Sequence, residues 1–371
     1  MRVLVGLMCA LALLTVHTPP SAAATPALRN ALRGLADGGF PGAIGYVRDG
    51  RRVEREAVGV ASLETGEPAT LAHRFRIASN TKAFTSTVLL QLVGEGRLSL
   101  DDPVSRWLPG VIAGNGNDGT RITVRQLLNH TAGLYDPTTE ESFWKPYFDG
   151  DTGFVYRPRD VVAMAMQHPP TGPGYSYSNT NYLVAGLIIE KVTGRSAVSQ
   201  VYRRILVPLH LVHTRFPTGD PQMYGRHLRG HDFRRDDVTV WSPSYDWTAG
   251  AIVSTVDELA RFYTALFDGT LLKPAQLAEL KTTVPTNPDD PMAGYGLGVE
   301  RQGMPCPDGT VRPVWGNSGG GPGYNSLALS TEDNSRQLVL ATNMYDIRAD
   351  LAGESPVPLV NPMPLLGHAF C

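Results

Sequence analysis

The protein is a chain of 371 residues, of which 42% are hydrophobic and 8% aromatic, enough to bury a sizeable core and too many for a wholly disordered chain. It carries 33 Lys and Arg residues against 35 Asp and Glu residues, which gives a formal net charge of -2. Because a polyanion-binding surface needs an excess of positive charge, nucleic acid is not expected as a partner.

The first 24 residues have the pattern of a secretory signal peptide. Arg2 precedes the apolar run 3–16, and the small residues Ala22 and Ala24 follow it. The run is shorter than the roughly 20 apolar residues that a membrane helix needs, and no later segment is long and apolar enough either. We therefore expect cleavage after Ala24, export, and no integral membrane segment in the mature chain.

Two cysteines would remain after loss of the leader. Cys9 is removed with it, and Cys306 and Cys371 are left. Two thiols in an oxidising compartment pair where the geometry allows. We expect a Cys306–Cys371 disulfide, worth roughly 4 kcal/mol on the loop-entropy model.

Hydrophobic periodicity predicts strands near both ends of the chain and helices between them. A helix at 26–36 precedes two strands, Ala43–Arg48 and Arg51–Val60, which join at the turn signal Asp49-Gly50. A short strand, Phe75–Ile77, leads into a helix at about 79–94. Further helices are predicted at 124–128, 160–166, 179–193, 197–206, 255–267 and 273–281, and further strands at 295–301, 311–315, 324–329 and 337–342.

This order of elements predicts an α+β fold. The hairpin connections make the sheet antiparallel, and it would be assembled from the two ends of the chain and flanked by helices. We expect one sheet domain formed by residues 25–80 together with 240–371, interrupted by a mostly helical domain of residues 81–239.

A serine and a lysine at the predicted start of a helix are the first chemical signal. Ser79 and Lys82 are three residues apart and so lie on one helical face. A serine hydroxyl is a poor nucleophile unless a neighbouring base takes its proton. Lysine can be that base if burial and the positive end of the helix dipole depress its pKa. The pair alone is a weak signal, because serine is also a common N-cap residue.

Two further motifs follow in order along the chain. Tyr177-Ser178-Asn179 lies at a loop-to-helix junction, and the run 316–324 joins two predicted strands with glycines that permit close backbone approach by a ligand. With these three elements, residues 26–371 resemble the serine β-lactamase and penicillin-binding DD-peptidase superfamily. The likeness is strongest to secreted Streptomyces-type D-alanyl-D-alanine carboxypeptidases and class C β-lactamase-like hydrolases, and segments 75–84, 127–134 and 250–259 support it.

The resemblance implies an exported serine hydrolase of the D-alanyl-D-alanine carboxypeptidase type. It would need no cofactor or metal and would act on a small peptide, ester or β-lactam. Ser79 would be the acylated nucleophile, Lys82 its base, and Tyr177 a second acid/base whose phenol is acidified by the nearby ammonium. Asn179 would bind the substrate's amide carbonyl, and the backbone N–H groups of Ser79 and Gly320 would form the oxyanion hole. The third motif would complete the substrate site with Asn317, Ser318, Gly319 and Gly320.

Several positions depart from the carboxypeptidase pattern. Asn317 replaces the usual His or Lys and cannot shuttle a proton, so we expect a weaker pull on a substrate carboxylate. Gly320 replaces a residue with a hydroxyl side chain. Glu300 and Arg301 occupy the place of a carboxylate-binding Arg, and which of them faces the site is open because adjacent strand residues face opposite ways. Beyond Leu351, four prolines interrupt the segment where the family usually has a final helix.

Two rival sites are disfavoured by their surroundings. The run 316–320 also matches the nucleophile elbow of α/β-hydrolases, but Pro322-Gly323 forbids the helix that must follow an elbow. Zinc would need an acidic third ligand on a clear helix, which does not accompany the histidines. We interpret these histidines as solvated surface residues: His210, His213, His227 and His231.

His130 is interpreted as a structural residue that satisfies helix-end carbonyls.

Two functional alternatives stay open. One is a β-lactamase-like esterase or D-amino-acid peptidase that uses the same residues. The other is a penicillin-binding protein that is acylated without turnover.

Overall fold

Strands from the two ends of the chain meet in one sheet. The structure, a computed structural model, describes residues 25–371, so the predicted signal peptide lies outside the described residues. The strands in this range are β1 Gly42–Asp49, β2 Arg52–Gly59, β3 Phe75–Arg76, β4 Ala113–Gly114, β5 Asn117–Asp118, β6 Val253–Ser254, β7 Val284–Pro285, β8 Gly294–Tyr295, β9 Glu300–Pro305, β10 Val311–Gly321, β11 Tyr324–Thr331 and β12 Arg336–Thr342. Eight of them form an antiparallel sheet in the order β2-β1-β12-β11-β10-β9-β8-β7.

Most of the helices come between the strands of the two chain ends. They are α1 Pro26–Asp37, α2 Thr81–Gly94, α3 Val104–Trp107, α4 Val124–Leu128, α5 Glu141–Phe148, α6 Pro158–Ala165, α7 Asn179–Thr193, α8 Ala197–Val201, α9 Trp247–Gly250, α10 Val256–Phe267, α11 Pro274–Leu280, α12 Ile347–Leu351 and α13 Met363–Phe370. Within residues 25–371, no helix combines the length and the apolar character needed to cross a membrane. The α+β class with an antiparallel sheet is confirmed, and the domain boundaries at residues 80 and 240 stay a prediction.

Helices cover the sheet on both faces. Helix α1 buries Leu28, Leu32 and Leu35 against β1 and β2, and α10 packs against β12, β1 and β11. Strand β1 is buried along its first six residues, because it pairs with both β2 and β12 and carries helices above and below. The larger core joins this sheet to α2 and α7, which are buried almost throughout. That junction is where the chemical motifs meet.

The final segment forms a helix despite its prolines. Pro362 is the N-cap of α13 and Pro364 lies in its first turn, where a missing N–H costs no hydrogen bond. Leu365, Ala369 and Phe370 are buried against α1 and the sheet. The expectation that the prolines beyond Leu351 interrupt the last helix is therefore wrong.

A disulfide joins this last helix to the end of β9. Cys306 and Cys371 are bonded, with their Cα atoms 5.5 Å apart, as the cysteine pattern led us to expect. Cys306 also accepts the backbone N–H of Gly309 and donates to Thr310 in the turn between β9 and β10. The bridge therefore fastens α13 to the hairpin that leads into the glycine-rich strand.

Candidate active site

Ser79 lies in a strained turn between β3 and α2. A 3-10 helix, Ala78–Asn80, precedes α2, and Ala78 has a left-handed φ of 43°. The turn is tied to the sheet, because the Asn80 side chain donates to Ser326 Oγ at 2.9 Å and accepts from Tyr263 at 2.7 Å. The N-cap residue of α2 is Asn80, and no side chain among residues 25–371 caps this helix. Ser79 therefore does not serve as a helix cap, and its hydroxyl is available for other contacts.

The three residues expected to carry the chemistry are in direct contact. Lys82 Nζ lies 3.0 Å from Ser79 Oγ, and the hydroxyl of Tyr177 donates to the same Oγ at 2.8 Å. Lys82 Nζ also donates to Asn179 Oδ1 at 2.7 Å and to the carbonyl oxygen of Ala249 at 3.1 Å. Lys82 is fully buried, so these three oxygens hold the ammonium directly beside the serine.

The pKa values of the two candidate proton carriers, Lys82 and Tyr177, are shifted in opposite directions. Burial lowers the pKa of Lys82 to about 8, although the carboxylates of Asp246, Asp136 and Glu300 oppose that shift. The expected acidification of Tyr177 is wrong: loss of water around the hydroxyl raises its pKa well above the ordinary value, even with 37% of the residue exposed. Tyr177 therefore stays a neutral donor near pH 8, where Lys82 can lose its proton and act as a base.

His130 supports the loop that presents Tyr177. Its ring stacks on the Tyr177 ring with centroids 4.3 Å apart, and its Nδ1 accepts the backbone N–H of Ser178 at 3.1 Å. Burial lowers the pKa of His130 well below its ordinary value, so the ring stays neutral and Nδ1 remains an acceptor. Within residues 25–371, the helix-end carbonyl that His130 contacts is that of Leu127, and it accepts from the backbone N–H and not from the ring. The side chain of His130 is therefore structural, as expected, but it contacts the Ser178 N–H and the Tyr177 ring and not helix-end carbonyls.

Removing the acceptor at His130 is expected to lower kcat while leaving KM nearly unchanged. A His130→Phe variant keeps an aromatic ring under Tyr177 but leaves the Ser178 N–H without its partner, so Tyr177 is no longer held on Ser79. We expect kcat to fall about 10-fold and KM to change less than about threefold. A His130→Asn variant, whose amide oxygen can accept the same N–H, should recover most of the rate. Equal losses in both variants would contradict this role.

The glycines of β10 let the strand approach the nucleophile turn. A Cβ at Gly319 would collide with the carbonyl oxygen of Ile77 and stand 3.1 Å from the backbone nitrogen of Ser79. A Cβ at Gly320 would collide with the ring of Tyr345. Tyr345 thus fills the space that a hydroxyl side chain would need at position 320, and the backbone of β10 lies beside the N–H of Ser79.

The remaining residues of the third motif are divided between the interior and the surface. Asn317 is only 2% exposed and its Nδ2 donates to the carbonyl oxygen of Gly298 at 2.7 Å, so its amide is committed to the interior. Ser318 is exposed. Neither residue contacts Ser79 through its side chain in the described hydrogen bonds, and their substrate contacts stay a prediction.

Of the two neighbouring residues Glu300 and Arg301, it is the acid that acts on the active site. Glu300 carries one of the charges that act on Lys82, and burial raises its own pKa. The Arg301 guanidinium donates to the carbonyl oxygens of Pro291 at 2.9 Å and Met292 at 3.1 Å. Arg301 is therefore held by these carbonyl oxygens and, within residues 25–371, does not take the place of a carboxylate-binding arginine at the nucleophile.

Ser79 opens into a narrow cleft that joins residues from distant parts of the sequence. One wall is apolar, with Trp144 and Tyr245 in edge contact at a centroid distance of 4.8 Å, and Ile347 beside them. Two carboxylates, Asp246 and Asp350, also line it, and within the described residues no lysine or arginine does. Sequence reasoning missed all of these, because none of them belongs to a motif. The only signal for Asp246 was one charged residue within the aromatic and small-residue run 242–250.

Comparisons with known proteins agree with this arrangement. A family model described as Beta-lactamase matches residues 28–352. A solved D-stereospecific amidohydrolase from Streptomyces sp. is 38% identical, with a TM-score of 0.81 over 93% of this chain and 98% of that one. A solved D-amino acid amidase from Ochrobactrum anthropi SV3, complexed with L-phenylalanine, is 27% identical, with a TM-score of 0.74 over 86% of this chain and 92% of that one.

The curated relatives are longer proteins. Protein flp of Staphylococcus aureus (strain COL) is 36% identical over 186 residues, which are 49% of this chain and 36% of that protein. The matched part of the chain thus spans about a third of the length of these curated relatives.

Proposed function

Because this chain belongs to the beta-lactamase family of serine hydrolases, we propose that it is an exported amidohydrolase that forms an acyl-enzyme on Ser79 and cleaves amides of hydrophobic D-amino acids. The observation that carries the choice of substrate is the acidic cleft beside Ser79, lined by Asp246 and Asp350. A carboxypeptidase substrate brings a negative C-terminal carboxylate into such a cleft, where carboxylates repel it. An amide has no such charge. The structural similarity to a D-stereospecific amidohydrolase and a D-amino acid amidase supports the same choice.

The contacts around Ser79 support a two-step acyl transfer. Neutral Lys82 takes the hydroxyl proton, and Ser79 Oγ forms a bond to the substrate's carbonyl carbon while the backbone N–H groups of Ser79 and Gly320 bind the oxyanion. The C–N bond then breaks as the Tyr177 hydroxyl gives its proton to the departing nitrogen, and the Lys82 ammonium returns a proton to Tyr177. Water attacks the acyl-enzyme by the same transfers in reverse order, which releases the acid and restores Ser79.

The apolar wall of the cleft supports a hydrophobic side chain on the substrate. Trp144, Tyr245 and Ile347 present apolar surface next to Ser79, and burying such a side chain contributes roughly 1.5–3 kcal/mol. Export is supported by the leader-like sequence 1–24 and by the disulfide, since disulfides persist in oxidising compartments.

A substrate panel tests the proposal. The panel consists of D-phenylalanine amide, L-phenylalanine amide, a D-Ala-D-Ala peptide, p-nitrophenyl acetate and nitrocefin. We expect kcat/KM for D-phenylalanine amide to exceed that for L-phenylalanine amide and that for the D-Ala-D-Ala peptide. Faster turnover of the D-Ala-D-Ala peptide than of the amide would replace the proposal with the carboxypeptidase alternative. Acylation by penicillin with no turnover of any substrate would favour the penicillin-binding alternative.

A further inference from the structure

A buried carboxylate beside the nucleophile has an oxygen without a partner. Asp246 is 5% exposed, yet it lines the same cleft as Ser79. Its Oδ1 has no hydrogen-bond partner within residues 25–371. A buried, unpaired carboxylate is costly, so a position that retains one indicates a ligand group that would pair with it.

The local backbone makes room for this carboxylate. A Cβ at position 250 would collide with Asp246 Oδ2, so glycine is required there. The next residue after Asp246, Trp247, has a left-handed φ of 34°, which a bulky side chain rarely adopts. The side chain of Asp246 is thus held in the cleft by a strained and specific local structure.

Asp246 and Ser79 line the same cleft, and the turn that carries Asp246 also contacts the base. Ala249, three residues further on in the same turn, accepts from Lys82 Nζ at 3.1 Å, and that Nζ lies 3.0 Å from Ser79 Oγ. In an α-amino acid derivative, the amine nitrogen is only about 2.5 Å from the carbonyl carbon that Ser79 attacks. A group this close to the attacked carbon enters the cleft that Ser79 and Asp246 both line.

We propose that Asp246 is the subsite for the free α-ammonium group of the substrate, and so selects unblocked amino acid derivatives over N-acylated ones. This inference rests on the proposed function only in taking an amino-acid acyl group as the substrate. Charge supports it: the cation that acts on Asp246 is Lys82, which must give up its proton to serve as the base. The incoming ammonium then provides the missing positive charge. Asp350, which is exposed and accepts the Tyr345 hydroxyl at 2.8 Å, lies in the same cleft but already has a partner.

The test compares a free amine with a blocked one, once on methyl esters and once on amides. The probes are D-phenylalanine methyl ester and amide, with N-acetyl-D-phenylalanine methyl ester and amide as their counterparts. We expect wild-type kcat/KM to favour the free amine by about 10–100-fold, the range of a charged hydrogen bond. Asp246→Asn should reduce this preference at least about 10-fold. Because the Asp246 carboxylate also acts on the pKa of Lys82, a change in the base alters the rates on the free and the N-acetyl ester together, so the preference is read as the ratio of their kcat/KM values at one pH. Asp350→Asn is the matched control and should leave the preference within about threefold.

Several results would overturn the inference. A wild-type protein without preference for the free amine does so with no variant needed, which covers the case of a misfolded Asp246→Asn. An equal loss on both esters in Asp246→Asn, with Ser79 labelling slowed in parallel, would place Asp246 in support of Lys82 instead. Hydrolysis of the esters without hydrolysis of the amides would refute the amidohydrolase proposal alone, because the amine preference is read independently on the esters.

Discussion

A Ser79→Ala variant is expected to lose covalent labelling by a fluorescent penicillin and by a fluorophosphonate, and to lose at least about 10⁴-fold in kcat/KM. The reason is that Ser79 Oγ is the oxygen on which both Lys82 Nζ and the Tyr177 hydroxyl converge, at 3.0 and 2.8 Å. Alanine removes the nucleophile and the oxygen that accepts from both groups, while Lys82 keeps Asn179 Oδ1 and the carbonyl oxygen of Ala249 as acceptors. The change removes one atom from a turn that is anchored by Asn80 and not by Ser79 itself, so the fold should be retained.

Ser318→Ala is the matched control for this experiment. Ser318 is an exposed serine in the glycine-rich strand, at the position that an α/β-hydrolase elbow would use as nucleophile. The Ser318→Ala variant should still be labelled and should retain activity on an ester substrate within about 10-fold, since it loses at most one substrate contact. Labelling that persists in Ser79→Ala and disappears in Ser318→Ala would reverse the assignment of the nucleophile.

The second large effect is on the pH profile, which should rise with pH through a midpoint of about 8. Burial depresses the pKa of Lys82 to about 8, so the neutral base form increases as the pH rises through that value. At pH 7 only about one tenth of Lys82 would be neutral. A Lys82→Arg variant cannot supply a neutral base in this range, because the pKa of arginine exceeds 12, and kcat/KM should fall about 10³-fold with loss of the rising limb.

The measurement is kcat/KM for N-acetyl-D-phenylalanine methyl ester between pH 5 and 10, since this probe has no titrating group of its own. No imidazole limb is expected near pH 6–7, because position 317 is asparagine and burial keeps the pKa of His130 well below its usual range. A midpoint near 10 would mean that Lys82 is not desolvated. A midpoint near 6.5 would contradict the assignment to Lys82 and would point to another group, such as Asp246, whose pKa burial raises to about 6.

Local patterns in the sequence predicted the elements that local forces determine. The helix predicted at 179–193 has these bounds in the structure, because an uninterrupted apolar pattern ends at a glycine with φ of 67°. Strand β10 is six residues longer than predicted. The run 316–321 has too few side chains to show a strand pattern, but it pairs with β11 in register from Gly316–Leu329 to Gly321–Tyr324. The pairing partner, and not the residue types, decides its conformation.

The spacing of Ser79 and Lys82 placed two of the three contacting residues. Ser79 lies in the 3-10 turn that leads into α2, and in a 3-10 turn, as in an α-helix, residues three apart lie on the same side. The state of Tyr177 could not be predicted in the same way, since its pKa depends on how much water the fold removes from its hydroxyl. Asp246 and Asp350 likewise come into one cleft through the tertiary arrangement of α9 and α12. No spacing in the sequence connects them to Ser79.

The contact between the nucleophile turn and β10 also determines when the protein can become active during folding. Ser79 and Gly319 are 240 positions apart in the sequence, and their backbones meet without intervening side chains. Contacts of such large sequence separation form slowly, because the long intervening chain must first be ordered. The turn can therefore present a competent serine only after the glycine-rich strand has joined the sheet. Covalent labelling of Ser79 during refolding would then report the docking of β10, later than any signal from the helices between them.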